Sequence, residues 1–144
     1  MATSVQVVEL DLPLSTRHAS TARVVAASLA ADAGFTVDEI DDLRLGLNEA
    51  VSVVADAADV EAVNGDAPAS RLLLRFEVDG RRITIHASQG GTGAVTPADG
   101  PDELAQRILG AVVDSFSYDG GRFVITKSSL GTSALEADSE AGSR

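Results

Sequence analysis

Few side chains in this sequence have chemistry to offer, and one carboxylate stands apart from the rest. Glu49 lies on the flank of an apolar stripe made by Ile40, Leu43, Leu47, Ala50, Val51 and Val54, one turn before Val53. Those apolar residues recur at three- and four-residue steps, the period of one helix face. Two readings of Glu49 stay open at this point: a site carboxylate at the edge of a buried face, or an ordinary solvated helix carboxylate. His18 and His86 each stand alone, without a partner at metal-ligand spacing, and there is no cysteine, so no metal site is expected. No Ser-His-Asp arrangement can be argued from position. Arg44 and Arg107 read as charges on solvated helix faces. Gly90, Gly91 and Gly93 cluster after a predicted strand, which is a poor phosphate signature by itself.

The elements that must hold these residues can be taken in chain order. Val5 to Leu12 alternate weakly and read as a strand that Pro13 ends, with Ser15 or Thr16 able to cap the next helix. That first helix is predicted from Arg17 to Ala33 with a small-residue face of Ala19, Ala22, Ala26, Leu29 and Ala33, terminated by Gly34. The second helix, Asp38 to Ala58, gathers Asp38, Glu39, Asp41 and Asp42 at its start, where the helix dipole favours negative charge. Leu45 lies opposite its main apolar face and suggests a second covering neighbour. Asp59 to Ser70 reads as a loop around Asn64-Gly65 and Pro68.

Arg71 to Val78 then alternates, with Leu72, Leu74, Phe76 and Val78 inward and Arg71, Arg75 and Glu77 outward. Asp79-Gly80 signals a hairpin, and the return strand carries Ile83, Ile85 and Ala87. After a glycine-rich loop, Gln89 to Gly100, Pro101 opens a third helix whose stripe is Leu104, Ile108, Leu109, Val112 and Val113. Phe116 to Tyr118 and Arg122 to Lys127 form a last hairpin. The order β-α-α-β-β-α-β-β predicts an α+β two-layer sandwich, a mostly antiparallel sheet with three helices on one face. Residues 1–128 are expected to form a single domain and 129–144, rich in Ser, Ala, Gly and Glu, a disordered tail.

The balance of charge narrows the partners. Ten arginines and one lysine face 22 acidic residues, for a net charge of −11. Direct nucleic-acid binding is opposed by that field, and 3% aromatic residues leave little for base stacking. A basic protein partner would be attracted; the plainer reading is that the acidity serves solubility. No apolar run approaches the length of a membrane span and no signal peptide is visible, so a cytoplasmic protein without membrane contact is expected.

Three segments stand out together: Ala22-Arg23-Val24-Val25-Ala26-Ala27, the stretch LRLGLNEAVSVV from Leu43 to Val54, and LGAVVDSFSYDGGRFVITK from Leu109 to Lys127. In this order and spacing they resemble the RsbW-type anti-sigma factors of the Bergerat-fold (histidine kinase-like) ATPase superfamily. The resemblance runs from about Val5 to Lys127. It implies ATP with Mg²⁺ as cofactor, a serine kinase activity on an anti-anti-sigma protein, and sequestration of a sigma factor. By resemblance Glu49 takes the general-base position, and the metal-binding Asn expected four residues later is Val53, which cannot coordinate Mg²⁺. Asn48 is no substitute, because it projects about 100° away around the helix.

The adenine-binding Asp, two residues before a Gly, falls on Ser88 and Gly90; a serine would accept a weaker hydrogen bond. In Asp99-Gly100-Pro101-Asp102-Glu103 a proline removes one phosphate-binding amide, and two carboxylates would repel a triphosphate. The resemblance places Arg23 on the surface that grips the partners, although an exposed helix arginine is common. The expectation is an anti-sigma factor that uses no cofactor, binds a sigma factor, is released by a STAS-type anti-anti-sigma protein, and forms a homodimer through its sheet. The alternative is an ATP-dependent serine/threonine kinase with a divergent site.

Overall fold

The computed structural model describes residues 4–14, 17–62, 71–90 and 100–130. Eight elements succeed one another in the order β1 (Gln6–Pro13), α1 (Ala19–Asp32), α2 (Val37–Ala62), β2 (Arg71–Asp79), β3 (Arg82–Gly90), α3 (Glu103–Val112), β4 (Ser115–Asp119) and β5 (Arg122–Ser128). The strands form one sheet in the order β1-β2-β3-β5-β4, with every neighbouring pair antiparallel. This is the predicted α+β architecture, with the three helices on one face.

Alternation along the strands divides the sheet into two unlike faces. Leu72, Leu74 and Phe76 on β2, Ile83, Ile85 and Ala87 on β3, and Phe123 and Ile125 on β5 are buried against the helices. The other face carries Arg71, Arg75, Glu77, His86 and Arg122. No helix or strand of the described residues covers it. Cross-strand pairs stitch it together, among them Arg71 with Asp11 at 2.7 Å, Arg75 with Glu9 at 3.3 Å, and His86 with Glu77 at 2.6 Å.

Helix α2 is the spine of the helical layer and packs on α1, α3, β3 and β5. Leu43, Leu47, Ala50, Val51, Val53 and Val54 are its buried stripe. Its start is a capping box: the Glu39 carboxylate accepts from the Thr36 backbone N–H at 2.8 Å while the Glu39 N–H reaches the Thr36 hydroxyl at 3.2 Å. Gly46 sits buried inside this helix, where glycine is normally unfavourable. The reason is steric, because a Cβ there would stand 2.7 Å from Val113 Cγ1. The glycine lets α2 lie directly on the junction between α3 and β4.

The chain's single lysine closes that junction. Lys127 is 9% exposed, and its Nζ donates to the Val112 carbonyl at the end of α3 at 2.9 Å, with the Asp42 carboxylate at 3.9 Å. A cation at a helix C-terminus satisfies an orphan carbonyl and complements the dipole.

Several expectations change. Helix α2 runs four residues beyond Ala58, because Asp59-Val60-Glu61-Ala62 contains no breaker before Asn64-Gly65. Among the described residues no second neighbour covers Leu45, which is 43% exposed. The residue capping α1 is His18, which makes no side-chain cap bond; Ser15 and Thr16 lie outside the described residues. Ser129 and Leu130, expected to begin a disordered tail, are held. The Ser129 N–H donates to the Arg81 carbonyl at 2.8 Å, and the Ser129 hydroxyl and Leu130 N–H both reach the Glu39 carboxylate, at 2.7 and 2.9 Å. The rest of that expected tail, residues 131–144, lies outside the described residues, as do most of the loops expected at 59–70 and 89–100.

Candidate functional site

Glu49 and Val53 sit a turn apart on α2, with unlike surroundings. Glu49 is half-buried and has no hydrogen-bond partner among the described residues. Val53 is 7% exposed and belongs to the core cluster with Ala50, Val51 and Val54. Any ligand atom one turn after Glu49 would have to come from a hydrocarbon side chain. Among the described residues no group of three or more His, Cys, Asp or Glu side chains could hold a metal ion.

Ser88 and Gly90 are not on the same side of the sheet as Glu49. Side chains on a strand alternate, and Ser88 pairs with Leu73 on the face away from the helices. It lines a shallow hollow of about 780 Å³ with Glu77, His86 and Arg122, a hollow that opens away from α2. Gly90 has the same parity, and a Cβ on it would meet Leu73 Cδ1 at 2.7 Å. The four residues expected to form one nucleotide site therefore divide into two pairs, separated by the sheet.

The residue in phase with Ile83, Ile85 and Ala87 at this strand end is Gln89, half-buried. Its side-chain oxygen is fully buried and unpartnered among the described residues. The alternation of the return strand, carried two residues further than Ala87, would have picked it out.

The start of α3 is already occupied by the chain's own charge. The Asp102 carboxylate caps the helix by accepting from the Ala105 N–H at 2.8 Å, and the Gln106 side chain donates to the Pro101 carbonyl at 2.9 Å. Glu103 stands next in the first turn and pairs with Arg107 at 2.8 Å on the surface. Gly100 reaches this turn with a φ of 92°, against the ring of Tyr118, 3.1 Å from where a Cβ would stand. A helix N-terminus attracts anions through its unsatisfied amides and its dipole. Here one amide is satisfied and two carboxylates stand in the way.

Arg23, on α1, is half-buried, and its Nη1 donates to Asn48 Oδ1 of α2 at 2.9 Å. Asn48 precedes Glu49, so this contact ties α1 to the helix that carries the carboxylate. On either side of it in sequence lie Val24, 68% exposed, and Leu45, one turn before Asn48. Sequence spacing could give neither the pairing of Arg23 with Asn48 nor its direction, since the two lie 25 residues apart.

Partial burial pushes the Glu39 carboxyl up, but hydrogen bonds from Thr36, Ser129 and Leu130 outweigh burial and hold it below the usual carboxylate value. Thr36 and Glu39 carry the Thr-x-x-Glu pattern before an apolar run that is the sequence signature of such a cap.

Residues 12–129 match the family model of the histidine kinase-like ATPase domain. The serine-protein kinase RsbW of Bacillus velezensis is 27% identical over 121 residues, covering 76% of this chain and 72% of that one. The serine-protein kinase RsbW of Bacillus subtilis is 25% identical over 116 residues with the same coverage. Among solved structures, the RsbU and RsbW domains of a Mycobacterium tuberculosis protein align with a TM-score of 0.55 at 14% identity, over 86% of this chain. That likeness is one of fold. The chain spans 32% of that longer one.

Proposed function

This chain belongs to the histidine kinase-like ATPase domain family, and we propose that it is an RsbW-type anti-sigma factor that works by partner switching and no longer transfers phosphate. It holds a sigma factor and releases it when a STAS-type anti-anti-sigma protein competes for the same surface. The observation that carries the loss of kinase activity is Val53, a core residue at the position where the family's metal ligand belongs. The residues present do not fit Mg-ATP. Besides Val53, the strand end offers Gln89 rather than a carboxylate to the helix layer, and Asp102 caps the helix that would take the phosphates. Glu49 is then an idle carboxylate on a packed helix.

The partner surface in this reading is the outer side of α1 and α2 around Arg23, with Val24 and Leu45 as its exposed apolar contacts. Exposed Asp38 and Asp41 lie on the same layer and would steer a basic sigma factor. Charge of that sign gives no purchase on nucleic acid itself. The uncovered sheet face, with acidic and basic residues interleaved, suits a second copy of the chain, so a homodimer through the sheet is part of the reading. Among the described residues no helix is long and apolar enough to cross a membrane, and we place the protein in the cytoplasm with its sigma factor.

Glu49 and the relatives' names favour a second reading, a serine kinase with a divergent site. Titration calorimetry with Mg-ATP, and with purified sigma factors of the host, separates the two. Sigma-factor binding without heat from Mg-ATP is expected. Nucleotide binding accompanied by phosphate transfer to a serine of a STAS protein would establish the kinase instead.

A further inference from the structure

The geometry points to Asn48 as the residue that sets Arg23 for partner recognition, an inference that rests on the anti-sigma reading above. The bond from Arg23 Nη1 to Asn48 Oδ1 is 2.9 Å long and half-buried between α1 and α2. It uses one edge of the guanidinium. Among the described residues Nε and Nη2 have no partner, and together they form the fork that takes a carboxylate through two parallel bonds. The identity of the holder matters. Asn48 is neutral, so it fixes the guanidinium without cancelling its charge; an aspartate there would fix it equally well and quench it. The family resemblance singles out the arginine but gives no role to the residue before Glu49, and the bond supplies one. The partner chemistry is then defined: an Asp or Glu side chain on the bound protein, seated on Arg23 beside the exposed Val24 and Leu45.

Holding a long side chain ready removes part of the ordering cost of binding, roughly 3- to 10-fold in affinity for one such side chain. The test is a double-mutant cycle read by calorimetry against the sigma factor that binds the wild-type chain, with thermal stability measured on every variant. Asn48→Ala is expected to weaken binding about 3- to 10-fold, and to add little once Arg23→Ala is present. Asn48→Asp separates positioning from structure. It should keep or raise thermal stability through an ion pair with Arg23, yet still weaken binding. Additive losses in the cycle, or an Asn48→Asp variant that binds like wild type, would overturn the inference while leaving the anti-sigma reading in place. A wild-type chain that binds no sigma factor would remove that reading first, and the inference with it.

Discussion

Replacing Gly46 by alanine should destabilise this protein even though alanine is the better helix former. Position 46 lies within α2, where Gly→Ala alone would favour folding by about 0.5–1 kcal/mol. Against that, the new Cβ would stand 2.7 Å from Val113 Cγ1, 3.6 Å from Val112 Cγ2 and 3.7 Å from Ile125 Cδ1. Carbon atoms settle at about 3.5–4.0 Å, so the first contact is short by close to 1 Å. Val113 is itself 7% exposed and β-branched, so it has little freedom to turn aside. Overpacking of this kind costs about 1–3 kcal/mol, leaving a net loss of about 0.5–2 kcal/mol. In urea, where the slope for a small domain is about 1–3 kcal/mol per molar, the midpoint should fall by a few tenths of a molar or more. The decisive step is the same change made on a Val113→Ala background. With Cγ1 gone the helix term alone remains, and Gly46→Ala should now stabilise by about 0.5–1 kcal/mol. An unchanged or raised midpoint in the single variant, or additive effects across the cycle, would refute the reasoning.

Glu39 predicts a pH dependence. Its carboxyl is held below the usual value in the folded state, so its contribution is fully present above that value and drains away as pH falls below about 5 and through the folded value. Glu39→Gln should flatten the acid limb of a stability-versus-pH curve and cost only about 0.2–1 kcal/mol at neutral pH, because glutamine can still accept at the cap and the exposed charge is screened, measured by urea unfolding; an unchanged acid limb would contradict the assignment. Lys127→Met keeps most of the packed stem but leaves the Val112 carbonyl without its donor, for a loss of about 1–3 kcal/mol in the same assay.

The fold was legible because its signals were strong and local. Clean alternation in Arg71 to Val78, the Asp79-Gly80 turn and the three-and-four spacing from Ile40 to Val54 each left one assignment standing, and the order of elements followed. The site was less legible for two physical reasons. Distance from Gly90 in sequence selects Ser88, while a strand exposes residues by parity, and parity hands the helix-facing position to Gln89. The partner of Arg23 belongs to a second helix, and which residues of two packed helices meet depends on crossing geometry that no single helical period contains. Lys127 falls between the cases: its place at the end of the last hairpin could be read, but its bond to Val112 needed α3 in position.

The paired rows of the sheet also say how this domain can be joined to other chains. Gln6 lies opposite Val78, Ile83 opposite both Val78 and Lys127, so Gln6 and Lys127 stand in one row, three strand spacings or about 14 Å apart. Ser129 then fastens to Arg81 at the same end of the sheet. Entry and exit of the folded body are therefore neighbours, and a short bridge could link them. Such a body can be spliced into a surface loop of a host protein, or opened at a new point and closed through its old ends, without pulling any strand from its row. The same geometry would let it sit between other domains while leaving α1 and α2 open to a partner.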